Sequence, residues 1–579
     1  MSVQKLITDH LDLWTSAVTH KNGSGRNASG KNGKIELTGI KKLRELILEL
    51  AVRGKLVEQD PSDEPASVLL ERVAEEKARL VKDGKIKKPR KLPPLTDANK
   101  PFSLPERWEW TQIEAVGHDW GQKEPDRVFS YIDVSSIDNI KGIIDQPEAV
   151  SPSNAPSRAR KKVRQNTVVY STVRPYLKNI AVIDKKIEPE PIASTAFAIV
   201  SPLSGIPAKY LLHYLRSPVF VRYVESVQTG IAYPAINDKQ FFSGALPVPP
   251  LQEQHRIVEK VDELMALCDR LEQQVGDQLE AHKVLIDTLL DALTRSTDPA
   301  ELAENWGRVA EHFDTLFTTE ASIDKLKKTI LQLAVMGRLV EQDPNDDPVS
   351  ALLERIAEEK AQLVKDGKIK KSKKLPFPED QDKKFPLPDG WEWASIASTG
   401  ITSTGKTPST KERLFFDGEI PFIGPGQITT SGHINQPDKF LSENGLLESE
   451  EALPNDIVVV CIGGSIGKCA KIHKRCGFNQ QINKVRPILV HPDYLLSTLS
   501  TDFVRELILE KSTGSATPII NRSKWEEIFI PLPPINEQHR IAEKVSELMA
   551  LCDQLKTRLS ESGKTRSQLA ETVVEQAVS

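Results

Sequence analysis

Apolar positions recur at helical spacing along 38–58 (Leu43, Leu46, Ile47, Leu50) and again along 323–341 (Leu326, Ile330, Leu333, Ala334), predicting two amphipathic helices. Each pattern stops near a glycine, Gly54 or Gly337, and an Asp-Pro turn signal, Asp60-Pro61 or Asp343-Pro344. A second helix is predicted after each, over 66–83 and 349–366. Basic, proline-punctuated stretches follow, KIKKPRKLPPL and KIKKSKKLPFP, which suit exposed connectors. After Gln254 and Gln538 the apolar spacing alternates between four and three: Ile257, Val261, Leu264, Cys268, Leu271, Val275, then Ile541, Val545, Leu548, Cys552, Leu555, Leu559. That is a coiled-coil seam, and about 40 residues predict a rod of roughly 60 Å. Paired with each other, the rods would act as a spacer; otherwise each seam is core of its own unit.

These patterns come twice because the chain is duplicated. ILELAVRGKLVEQDP from Ile47 returns as ILQLAVMGRLVEQDP from Ile330, and Trp108-Glu109-Trp110 returns as Trp391-Glu392-Trp393. LPVPPLQEQHRIVEKVDELMALCDRLE (Leu246–Glu272) matches IPLPPINEQHRIAEKVSELMALCDQLK (Ile530–Lys556). Two tandem units follow, roughly 36–296 and 320–579. Between the matching flanks lie two inserts of nearly equal length, 111–245 and 394–529, that are largely unlike each other. One scaffold used twice, presenting two different inserts, is what simple drift of a duplicated gene does not explain.

Each insert mixes short β-rich runs (Thr167–Val173, Ile180–Asp184, Ile457–Cys461) with a helix ahead of a glycine turn. Tyr210–Val227 leads to TGIAYPAIN at Thr229, and Tyr494–Lys511 leads to TGSATPIIN at Thr513. An α+β fold is predicted for both.

The whole chain has 579 residues, net charge −4 and 39% hydrophobic residues, which suits three or four compact soluble units rather than a protein that coats nucleic acid nonspecifically. No apolar run reaches membrane-spanning length, the start lacks a signal-peptide pattern, and five cysteines suit a reducing cytoplasm. Local charge differs from the total. Ala149–Ile183 holds no Asp or Glu but carries Arg158, Arg160, Lys161, Lys162, Arg164, Arg174 and Lys178. Ile457–Pro492, at the equivalent place in the second insert, is also acid-free and carries Lys468, Lys471, Lys474, Arg475, Lys484 and Arg486. Such patches suit phosphate, with Arg, Asn and Gln free to read base edges; Asn479, Gln480 and Gln481 supply amides suited to adenine.

Three enzyme-like patterns weigh less. Gly400–Thr407 satisfies GxxxxGK[ST], but a phosphate loop needs a buried strand before it and a helix after it, and Pro408 with no apolar stripe follows. A turn in which Thr404, Lys406 and Thr407 face DNA phosphate is the better reading. Cys461, Cys469, His473 and Cys476 lie close together without CxxC spacing, so buried strand cysteines are expected, as are buried seam cysteines at 268 and 552. The Pro-Pro pairs lack the preceding acid or amide and the following aromatic of an adenine methyltransferase. A P-loop ATPase and a coiled-coil scaffold without DNA readout remain as alternatives.

The LPxPPxxEQxRIxxKVxELMALCDxL helices, the TGxxxPxIN turns, TGKTPS and GEIPFIGPGQI (Thr404–Ile428), IGGSIGK (Ile462–Lys468) and NQQIN (Asn479–Asn483) resemble the specificity subunits of type I restriction–modification enzymes, in the subgroup with an extended, duplicated N-terminal region. The first insert carries a divergent form, STVRPYLKNIAVI (Ser171–Ile183). The resemblance implies a helical region and linker at 1–110, a first target-recognition domain at 111–250 and a central coiled-coil helix at 251–296. A second helical region at 297–393, a second recognition domain at 394–534 and a C-terminal coiled-coil helix at 535–579 complete the series. It implies that each domain reads half of a bipartite, asymmetric double-stranded DNA site, and that two methyltransferase subunits dock on the helices with restriction subunits joining them. No catalytic residue, metal or cofactor is expected here; S-adenosylmethionine, ATP and Mg²⁺ would belong to partners. The candidate DNA contacts in the first domain are the basic residues of 158–178 together with Ser171, Tyr176, Thr229 and Tyr233. In the second they are Thr404, Lys406, Thr407, Ser465, Lys468, Lys471, Asn479, Gln480, Gln481, Thr513 and Ser515.

Overall fold

A computed structural model describes residues 3–17, 19–20, 35–230, 232–296, 298–370, 377–514 and 516–578. The chain divides into two compact units. One takes in the N-terminal segment, Lys34–Asp277 and Gly563–Ser579, the other Gln278–Ser562.

In the first unit, α1 (Thr38–Val52) buries Leu43, Leu46, Ile47 and Leu50. It stops sooner than periodicity alone suggests, because Gly54 takes a left-handed φ of +70° where an added Cβ would meet Pro105 Cγ at 2.6 Å. After α2 (Ala66–Lys82), the insert is closed at its base by a ribbon of β1 (Glu109–Gln112) against its returning end, residues 245–248, with Trp110 opposite Pro247. Inside the insert, β2 (Val168–Ser171) lies between and antiparallel to β3 (Ile180–Val182) and β4 (Phe197–Pro202) in a six-stranded sheet. A four-stranded sheet runs Glu148–Val150, Phe129–Ile132, Pro191–Ser194, Ala159–Lys162. All four β2 residues are buried.

The helix expected over Tyr210–Val227 is two: α3 (Ala208–Arg216) and α4 (Pro218–Val227). Pro218 cannot continue a helix but starts one well, and Ser217 caps it by accepting from the Phe220 amide. Then β5 (Ala245–Val248) leads into α5 (Leu251–Arg295), whose positions Ile257, Val261, Leu264, Cys268, Leu271 and Val275 are all buried. Arg44 of α1 reaches Asp269 at 2.6 Å and Glu272 at 3.0 Å on this helix, so this stretch of the seam packs within its own unit. The unit is completed by Gly563–Ser579: Ala570 is fully buried, Glu571 lies 3.3 Å from Lys42, and Lys55 Nζ donates to Val578 O at 2.9 Å.

The second unit repeats the scheme. It has α6 (Glu320–Val335), α7 (Val349–Lys365), and a ribbon of β6 (Glu392–Ser395) with residues 529–532. Its main sheet runs in the order β7 (Gly400–Thr404), Ile482–Pro487, Ile457–Val460, Cys469–Lys471; in chain order the last three are β10, β8 and β9. A second four-stranded sheet runs Lys439–Leu441, Ile420–Ile423, Cys476–Phe478, Glu450–Ala452. Helices α8 (Pro492–Leu499) and α9 (Asp502–Lys511) are again split, here by a Thr501 cap on the Val504 amide, where one helix was expected. After β11 (Phe529–Leu532) comes α10 (Ile535–Val578), which meets α6 through Lys556–Asp324 at 2.9 Å. Pro299–Glu311, capped by Asp298, is a further helix ahead of α6.

The retained flanks have a physical reason. Trp391 Nε1 donates to Glu537 at 2.9 Å, Arg540 pairs with Asp346 at 2.8 Å, and Gln538 Nε2 donates to Pro533 O at 2.8 Å. The first unit matches them with Arg256–Asp63 at 2.7 Å and Gln254–Pro249 at 2.9 Å. The repeated Trp, Glu, Gln and Arg are thus the parts of one buried clasp.

Candidate nucleic-acid interface

Between β2 and β3 the chain makes a projecting turn, and between β8 and β9 it makes the same turn with other side chains. Arg174 N donates to Pro234 O at 2.8 Å, as Gly463 N does to Pro518 O at 2.9 Å; Leu177 N to Arg174 O and Ile466 N to Gly463 O are both 3.0 Å. Single bridges tie Val173 to Ala235 and Ile462 to Ile519. Those partners belong to the TGxxxPxIN turns, which close on themselves from Thr229 N to Ala235 O and from Thr513 N to Ile519 O, each 2.9 Å. Gly230 and Gly514 are required there: φ is +91° and +88°, and a Cβ would meet a backbone oxygen at 2.8 or 2.7 Å.

Gly463 and Gly467 hold φ of +84° and +85°, and the equivalent Arg174 and Lys178 hold +49° and +53°. A side chain in this region costs roughly 1–2 kcal/mol, so Arg and Lys persist here against the local preference. Arg174 stacks on Tyr233 (4.8 Å to the ring centroid) and Lys178 lies 3.7 Å from Glu45. Tyr176 and Tyr233 are exposed, as are Val173 and Leu177. The last two escaped sequence reasoning because apolar residues within a β-rich run look like core; the neighbouring Arg-Pro was the available sign of a turn.

In the second unit the predicted candidates converge. Cys461 N donates to Gln481 O at 2.8 Å, which sets Asn479–Gln481 beside the turn that carries Ser465 and Lys468. Gln481 N donates to Asn479 Oδ1 at 3.0 Å, Thr407 Oγ1 to Gln480 Oε1 at 2.5 Å, and Thr404 Oγ1 to Asn483 Oδ1 at 2.8 Å. Lys406 is exposed and lies 3.1 Å from Glu448. Gly400–Thr404 is a strand paired with β10, and a Cβ on Gly405 would sit 2.0 Å from Asn479 O. The glycines of the GxxxxGK[ST] pattern therefore serve close backbone approach, and the pattern is no phosphate loop.

The basic runs are less uncompensated than their local sequence suggests. Lys471 pairs with Asp493, Arg475 with Glu443 and Glu451, and Arg486 and Lys484 with Asp456, all acids from outside the run. In the first unit Arg160 pairs with Glu124, and Lys161 donates to Phe197 O at 2.6 Å and lies 3.5 Å from Asp238. Ser171 is buried and donates to Val173 O at 2.9 Å. Ser171 is thus closed off from solvent, and Lys471 and Lys161 are engaged with partners that the fold supplies. Arg158, Lys162, Lys468 and Lys474 have no acidic partner among the described residues, and Arg164 lies over Trp120 at 4.0 Å. Ser515 lies outside the described residues.

Cys461 and Cys469 belong to one hydrophobic cluster and Cys476 to another. Burial pushes the Cys461 thiol up to about 12 and that of Cys469 to about 11. No group of three or more potential metal ligands comes together among the described residues. None of the helices searched there is long and apolar enough to cross a membrane.

The model of the type I restriction modification DNA specificity domain matches residues 134–281 and 388–562. The chain is 40% identical to the EcoAI specificity subunit of Escherichia coli and 38% identical to the EcoEI specificity subunit, over the full length of each. A solved chain from a type I R-M system shares the fold, with 22% identity and a TM-score of 0.53 across 83% of this chain and 99% of that one. With two copies of the domain on a duplicated helical scaffold, the chain belongs to the family of type I restriction–modification specificity subunits.

Proposed function

We propose that each insert reads one half of a bipartite, asymmetric double-stranded DNA site through its projecting turn. The observation that carries this is the shared backbone hydrogen bonds and left-handed positions, with different side chains, at 173–178 and 462–467. A constant backbone sets the docking geometry, and a variable tip reads the bases. The second site adds Lys406, Ser465 and Lys468 for phosphate and Gln480 and Gln481 for base edges; the first adds Arg174, Tyr176 and Lys178.

The helical scaffold docks two methyltransferase subunits and fixes the distance between half-sites, and restriction subunits join that core. Two like scaffolds suit two identical partners, while unlike tips give unlike half-sites. The chain reads without catalysing; adenine methylation with S-adenosylmethionine, and ATP- and Mg²⁺-dependent cleavage, are the work of partners in the cytoplasm. Co-expression with a cognate methyltransferase subunit and genome-wide mapping of N6-methyladenine tests this. Exchange of residues 111–245 should change one half of a single bipartite motif. A motif indifferent to both inserts would leave only a scaffold.

A further inference from the structure

We infer that the first insert reads its half-site through an apolar tip that seats against thymine methyl groups in the major groove. This rests on the function proposed above and names the chemistry of one of its two sites.

Four large side chains around one turn face solvent: Val173 is 42% exposed, Tyr176 51%, Leu177 43% and Tyr233 68%. The contacts show them to be one surface. Val173 bridges to Ala235, Arg174 N holds Pro234 O, and the Arg174 guanidinium lies on the Tyr233 ring. Asn139 Nδ2 donates to Leu177 O at 3.2 Å, which brings in the neighbouring Ile140, 73% exposed. Lone exposed apolar residues need no explanation, but a contiguous group marks a contact surface.

The charge around the group selects nucleic acid as its occupant. Arg174 and Lys178 flank the tip in left-handed backbone where the sister turn uses glycine, so two cations are held beside the apolar side chains at a conformational cost. The sequence from Ala149 to Ile183 contains no acid; Glu45 of α1 lies 3.7 Å from Lys178, and Arg174 has no acidic partner among the described residues. Within a DNA groove an apolar surface has one specific partner, the C5-methyl of thymine. The sister turn keeps Ile462 at the place of Val173 but buries Ile466 at that of Leu177, and has Ser465 and Thr517 where Tyr176 and Tyr233 stand, so its tip is less apolar.

The test uses the full chain with its methyltransferase subunits and duplexes carrying the mapped motif, with thymine replaced by uracil in one half-site at a time. Uracil removes only the methyl. In the half read by the first insert, affinity should fall about 3- to 10-fold per contacted thymine. The loss should vanish in Leu177→Ala or Tyr233→Ala, whose salt dependence stays that of the parent. Lys178→Ala should keep the uracil effect and flatten the salt dependence. Sequence-specific binding that ignores uracil in that half overturns the methyl contact while leaving DNA reading intact. Absence of any sequence-specific binding overturns both. Tip variants that keep DNA affinity and uracil sensitivity but lose the methyltransferase subunit on co-purification would assign the surface to that protein instead.

Discussion

The indole Nε1 of Trp108 donates to Glu253 Oε2 at 2.9 Å, joining the first residue of the WEW motif to the glutamate of the PPxxEQ motif at the start of α5. Both side chains are buried, and the second Glu253 oxygen has no hydrogen-bond partner. Trp108→Phe removes the donor and leaves the buried Glu253 carboxyl without this hydrogen bond. A loss of about 1–3 kcal/mol is expected, read as a lower unfolding midpoint of the first unit in denaturant. An unchanged midpoint would mean that the clasp contributes nothing.

The same glutamate gives a pH signature. Burial raises its pKa above the ordinary 4.5, against the opposing pull of Trp108 and Arg256, and Glu537 behaves alike. A carboxyl raised by folding keeps its proton in the fold where the unfolded chain has lost it. Its effect is therefore a loss of stability as pH rises from 4.5 through the folded value. Glu253→Gln removes that term, so the stability of the parent relative to the variant should shrink with rising pH over this window. Parallel thermal profiles of the two proteins would refute it.

Arg174→Gly should separate stability from reading. Glycine relieves the left-handed strain and gives up a stacking contact worth about 0.5–1 kcal/mol, so thermal stability should change little. DNA affinity should fall by about 1–3 kcal/mol with relaxed preference at one position. Equal losses in both assays would make Arg174 a structural residue.

Lys406→Ala should weaken binding to all duplexes alike and reduce the log–log salt slope by about 1. Gly405→Ala, by contrast, forces a Cβ to within 2.0 Å of Asn479 O; the backbone must move, and a cooperative loss of the second insert's stability is expected in calorimetry. Neither variant should change the response to ATP. ATP binding by the isolated chain, abolished by Lys406→Ala, would contradict both the strand geometry and the phosphate role.

The duplication, the helical seams and the boundary turns were legible because each repeats a period or a motif over many residues. The partners of Lys161 and Lys471 were hidden because local composition shows a missing acid, whereas Asp493, Asp238 and the Phe197 carbonyl are brought in from outside the run. The split of α3 from α4 was readable in Ser217-Pro218, yet the apolar run on both sides outweighed it. The likeness of the two turns was hidden altogether, because STVRPYLK and VCIGGSIG share backbone hydrogen bonds and almost no side chains.

The segment Gly563–Ser579 completes the first unit, yet it is made only after Gln278–Ser562 of the second unit has been synthesised. At about 5–20 residues per second, the first unit, otherwise finished at Asp277, waits roughly 15–60 s for its last contacts. Only at the end of that interval does the second, nearly identical seam, after Gln538, join the one after Gln254 on the nascent chain. The order of synthesis thus favours the correct pairing, since α1 meets residues 257–275 long before the competing copy exists.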